Sequence, residues 1–167
     1  MKIISKQNML GFTLVETMVA VGVVMIGFTA VLSLSSTSLF HISSIQDRLI
    51  ATNLAAEGIE VIRNIRDTNW LQNQSWDLNL SDKNYQAAYN SVPPLLSYGD
   101  IAYRDVFLSI DSNGFYNYGS GAPTKYKRNI SITHITSYEI RVVSTVNWKI
   151  RNIDYSASVE DHLFDWK

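Results

Sequence analysis

The sequence predicts an α+β fold: a long N-terminal helix whose second half packs on a mainly antiparallel β-sheet. Three observations carry this. Between Glu16 and Asp47 there is no Asp, Glu, Lys or Arg, and Val, Ile, Leu, Met, Ala and Gly dominate residues 18–34. Apolar residues then recur at helical spacing (Ile42, Ile45, Leu49, Leu54, Gly58, Val61, Ile65), with charged and amide side chains between them. The last part of the chain instead alternates β-branched and polar residues in three runs, 126–135, 138–148 and 153–160.

The first element is a short leader, residues 1–11, whose charged side chains are Lys2 and Lys6. Positive charge tends to stay on the cytoplasmic side, so the chain beyond it is expected to face outward. The apolar run that follows exceeds the ~20 residues needed to cross a ~30 Å hydrocarbon core as a helix. Glu16 stands at its threshold. A carboxylate costs roughly 2.5–3.5 kcal/mol near the centre of a span, less near its end, and usually marks function.

Three readings meet these facts. A cleavable secretory signal has an apolar region of about 7–15 residues, which is shorter than this run. A plain signal anchor fits length and charge but gives Glu16 no role. The third is a resemblance: Gly11, Phe12, Thr13, Leu14, Val15 and Glu16, followed by a long apolar helix, resemble the processing site of type IV prepilins and pseudopilins. The resemblance implies cleavage between Gly11 and Phe12, N-methylation of the new Phe12 terminus, and use of Glu16 as an assembly carboxylate. It implies a type IV pilin-like fold and a structural role, as a minor pilin or pseudopilin of a type IV pilus, competence pilus or type II secretion pseudopilus. Its implied partners are other pilin subunits through the N-terminal helix, a prepilin peptidase/methylase, and an inner-membrane assembly platform. The implied location is the cytoplasmic membrane, head outside, and then the fibre.

The expected organisation is a leader (1–11), a transmembrane or filament-core helix (12–40), an amphipathic half (41–67), an irregular connection (68–103) and a sheet head (104–167). Leaving the leader behind would take the side-chain charge from -1 to -3. Gly22, Gly27 and Gly58 are the weak points of the helix, and Ser33, within the Ser-rich stretch 32–38, stands where many type IV pilins carry proline. The segment from Leu54 to Asp67 is similar to the end of the long helix in minor pilins of the pilus-modification type, a pattern that packing alone would also demand. Trp70 and Trp76 are expected to anchor the connection, which is rich in Asn and Gln, and 85–89 reads as a short edge strand. The sheet is expected to begin near Arg104, with a hairpin turn at Asp111, Ser112, Asn113 and Gly114, a loop over 119–123, and a tight turn at 149–152.

No arrangement of catalytic residues emerges, and no cofactor or metal is expected. His41, His134 and His162 lack ligand spacing and read as structural. Asp111 and Asn113 before Gly114 resemble the start of a calcium loop, but the downstream acidic ligand is missing, so they read as a turn. Lys125, Lys127 and Arg128 beside Tyr126 read as a solvated strand face. With 14 Lys+Arg against 15 Asp+Glu there is no basic footprint for nucleic acid. There is no cysteine, so the head must hold together by packing. The competing function is a signal-anchored extracytoplasmic domain that binds a surface ligand or DNA. The two separate on the mature first residue, N-methylated Phe12 or Met1.

Overall fold

The computed structural model describes Gly11 and residues 13–100 and 106–166. The leader up to Leu10, Phe12, and the expected sheet start at Arg104 lie outside the described residues. The chain divides into two compact units, Met1–Ile45 and Gln46–Lys167. One helix, α1 (Leu14–Leu71), supplies most of the first and opens the second.

Helix α1 runs four residues past the expected end near Asp67, and its C-terminus explains why. Asn73 adopts a left-handed conformation (φ 53°), its N–H donates to the Trp70 carbonyl (3.1 Å), and the Gln74 N–H donates to the Asn69 carbonyl (2.9 Å). This 5→2 and 6→1 pairing is a Schellman stop, and Asn tolerates the conformation it needs. Asn69 Nδ2 donates to the carbonyls of Trp76 (3.1 Å) and Leu78 (2.9 Å), tying the next loop to the helix end. Trp70 therefore belongs to the helix rather than to the connection, and both it and Trp76 are buried.

The second unit holds two sheets. The larger runs in the order β2 (Leu96–Ser97), β1 (Asn84–Gln86), β6 (Lys127–Thr136), β7 (Glu139–Ile150), β8 (Ile153–Phe164). The smaller runs β4 (Tyr116–Asn117), β3 (Ser109–Ile110), β5 (Ala122–Pro123). All pairings are antiparallel. The strand expected near Tyr85 is present but interior, because β2 adds outside it. Likewise the expected loop over 119–123 contains β5, which pairs with β3 at Ser109 and Ile110. The β7–β8 hairpin closes at Ile150 opposite Ile153, across Arg151 (φ 48°) and Asn152 (φ 65°). Two consecutive left-handed residues match the right-handed twist of a hairpin.

Alternation along β7 places Ile140, Val142, Ser144, Val146 and Trp148 on one buried face. Ile130 and Ile132 of β6 share it, and Ile59, Ile62 and Ile65 of α1 complete the cluster with Leu163 of β8. Burying side chains of this size contributes about 1.5–3 kcal/mol each. A second cluster joins Ala51, Leu54 and Ala55 to Leu108, Tyr126, Val146 and Trp148. The packed stripe of α1 is thus 51, 54–55, 58–59, 62 and 65. The expected extension through Ile42, Ile45 and Leu49 is corrected: these are 53%, 68% and 61% exposed. Gly58 lies where helix and sheet approach most closely. A Cβ there would collide with Ser144 Oγ and come within 3.2 Å of Arg128 Cδ and Ile130 Cδ1.

Candidate functional site

The N-terminal site starts from helix-end chemistry. Thr13 precedes the first helical residue, and its Oγ1 accepts the Glu16 N–H (3.2 Å), satisfying one of the donors a helix start leaves unpaired. The Thr13 carbonyl accepts the Thr17 N–H (3.1 Å). Thr13 and Glu16 thus occupy the Ncap and N3 positions of a capping-box sequence, and the carboxylate in the first turn favours the positive end of the helix dipole. Glu16 is exposed, among Leu14, Val15, Met18 and Val19, each more than 60% exposed. Gly11 is exposed, with open space where a Cβ would stand. Gly11 and Glu16 thus flank the helix start, while Phe12, the expected methylation site, lies outside the described residues.

Beyond Glu16 every residue of 17–38 is exposed, although the segment is apolar. The large side chains from Leu14 to Leu34 are 52–75% exposed. By length and composition α1 is able to cross a membrane. The hydroxyls inside the run suit that use, since they bond back to their own helix: Thr17 Oγ1 to the Leu14 carbonyl (2.8 Å), Thr29 Oγ1 to Ile26 (2.9 Å), Thr37 Oγ1 to Ser33 (3.0 Å). In hydrocarbon no water would satisfy them otherwise.

Several polar clusters tie the head together. Asp47, buried on the first turn of the second unit, accepts from Lys125 Nζ (2.6 Å) and from the Tyr126 hydroxyl (3.0 Å). Burial, reinforced by the Asp47 carboxylate, pushes the Tyr126 phenol upward. Arg128 is fully buried: Nη1 donates to the Leu54 carbonyl (2.8 Å) and Glu57 Oε1 (3.0 Å), and Nη2 donates to the Ala87 carbonyl. The solvated face expected of Lys125, Lys127 and Arg128 is therefore corrected at Arg128, whereas Lys125 stays exposed and Lys127 half-buried. Arg128 shares the parity of Ile130 and Ile132, so it points inward, and that parity was the available signal. Third, His134 Nδ1 lies 2.5 Å from Asp82 Oδ1 and its Nε2 3.5 Å from Asp77, joining β6 to the loop before β1. The side-chain and backbone hydrogen bonds from His134 hold the Asp82 carboxyl below its usual range. His162 faces Glu139 (2.6 Å) and Glu160 (3.4 Å), and its pKa is raised, chiefly by the bond to Glu139.

Asp111 Oδ1 accepts from the N–H groups of Asn113 (2.8 Å) and Phe115 (3.0 Å), the bonding of an Asx turn. Among the described residues no group of three His, Asp or Glu side chains is placed to hold a metal ion. These clusters join elements of the head to one another, as structural contacts do.

Residues 6–32 match the prokaryotic N-terminal methylation motif, the signal of type IV prepilins and pseudopilins. No curated protein and no solved structure matches the chain.

Proposed function

We propose that this chain, which carries a prepilin-type methylation motif at residues 6–32, is a minor pilin or pseudopilin. It serves as a structural subunit of a type IV pilus, competence pilus or type II secretion pseudopilus. The observation that carries the proposal is the motif running directly into a helix whose apolar side chains are uncovered from Leu14 to Leu34. Before assembly a bilayer covers that surface, with the leader in the cytoplasm and the head outside. The peptidase cuts between Gly11 and Phe12, removing Lys2 and Lys6, and Phe12 is methylated. The helix end that remains is apolar enough to leave the bilayer, through an inner-membrane assembly platform, and pack against other subunits.

In the fibre the Phe12 ammonium of one subunit pairs with Glu16 of another. Low dielectric makes an unpaired charge there costly, so pairing enforces register more than it adds stability. The test compares Glu16→Ala and Glu16→Val with the parent, measuring processing, membrane-bound fraction and fibre-bound fraction. Both variants are expected to be cut and membrane-inserted but depleted from fibres, because an uncompensated buried charge costs about 3–5 kcal/mol. Incorporation equal to the parent would remove Glu16 from the assembly mechanism.

A further inference from the structure

Two clefts lie near the C-terminal end of α1. The first, about 480 Å³, has Asn64, Thr68 and Gln72 at successive turns of the helix, with Gln74 and Asn79 among its loop residues. Ile65, Val92 and Pro93 form its apolar wall, and no charged side chain lines it among the described residues. The second, about 370 Å³, is lined by Trp70, Trp76, Asn73, Gln74, Ser75 and Asp165. Gln74 lines both. The loop between them is fixed in advance: Asn69 holds the Trp76 and Leu78 carbonyls, and Trp70 Nε1 donates to Asp165 Oδ1 (3.3 Å). Beside the second cleft the Trp166 ring, 71% exposed, packs edge-on against Trp70 at 4.7 Å.

The chemistry of this lining is selective. A carboxamide both donates and accepts, which matches hydroxyl groups that do the same. A charged ligand would find no counter-ion in the larger cleft and would lose hydration without return. The apolar wall of Val92 and Pro93 offers surface to C–H faces, and the volume is that of a small-molecule site. From this geometry we infer that the amide-lined cleft binds a neutral, hydroxyl-rich ligand of the oligosaccharide class. Its hydroxyls meet the amide ridge of α1 and its C–H faces meet Val92 and Pro93. This function is additional to assembly, and nothing in it requires the N-terminal motif.

Saturation-transfer NMR on the full chain in a zwitterionic detergent tests the inference, with lactose, maltose and N,N′-diacetylchitobiose as neutral probes and glucuronate and glucosamine as charged ones. The expected result is saturation of at least one neutral disaccharide, with weaker transfer to both charged sugars. The double variant Gln72→Leu, Gln74→Leu replaces two exposed side chains. It should weaken binding tenfold or more while leaving the thermal midpoint unchanged. The inference is overturned by absence of transfer to all three disaccharides, by equal transfer to the charged probes, or by undiminished binding in a folded double variant.

Discussion

Gly58 of α1 faces Ser144 of β7 so closely that a methyl group added to the glycine would strike the serine hydroxyl. Ser144 is fully buried, and its Oγ has no hydrogen-bond partner. A small side chain fits that position, between Val142 and Val146, where a branched one would push the helix off the sheet. Gly58→Ala gains about 1 kcal/mol of helix propensity but overpacks the contact at a cost of about 1–3 kcal/mol. We expect net destabilisation. Ser144→Ala should be neutral or stabilising, since it removes an unsatisfied buried hydroxyl. In a thermal-denaturation double-mutant cycle Ser144→Ala should rescue much of the Gly58→Ala loss, and strict additivity would refute the contact.

Arg128 is a second keystone of the head. Its guanidinium reaches carbonyls on α1 and after β1 that no shorter cation could span together. Arg128→Ala leaves those carbonyls and Glu57 without their donor, and should cost about 3–5 kcal/mol in denaturant unfolding. Arg128→Lys should recover little, because an ammonium lacks the planar fork. Full recovery by lysine would mean that charge alone matters there.

Two ionisable contacts set opposite pH edges. His162 has its pKa raised above 6.5, first by the hydrogen bond to Glu139. Its contribution is complete below pH 6.5 and is lost as pH rises through the folded value. Asp82 is lowered below 3.8 by His134, so its contribution is present above pH 3.8 and lost as pH falls through the folded value. Thermal midpoints measured against pH should lose the upper edge in His162→Gln and flatten at the acid end in Asp82→Asn. Unchanged profiles would assign both edges to other groups.

The β7–β8 hairpin depends on left-handed backbone at Arg151 and Asn152. Asn152→Val places a β-branched residue in a conformation that costs an L-residue roughly 1–2 kcal/mol. The thermal midpoint should fall accordingly, whereas Asn152→Gly should hold or raise it.

Much of this architecture is legible in local chemistry. Period-2 alternation announces β6, β7 and β8, and the charge-free run announces the first half of α1, because each pattern is repeated over many residues. The two-residue strands β2 and β5 are invisible for the opposite reason: Leu96, Ser97, Ala122 and Pro123 form strands only because β1 and β3 lie beside them. Helix α1 outruns its expected end because Asn73 supplies the stop and the charges at Arg66 and Asp67 do not. The stripe at Ile42, Ile45 and Leu49 continues the helical spacing, yet the packing stripe starts at Ala51, beyond it. Arg128 and Asp47 look solvated in sequence, since burial of a charge depends on partners far along the chain. At the N-terminal end, motif and charge single out Gly11 and Glu16, and the Thr13-to-Glu16 spacing of a capping box is the available signal for Thr13 as helix cap.

The central claim, that the chain matures as a pilin-like subunit, rests on one bond between Gly11 and Phe12. Intact-mass and N-terminal peptide mass spectrometry of the protein isolated from its own membranes reads that bond directly. The account predicts a mature chain beginning with N-methylated Phe12, and accumulation of the uncut precursor in Gly11→Glu. A chain that retains Lys2 and Lys6, or one cut elsewhere without methylation, would contradict it.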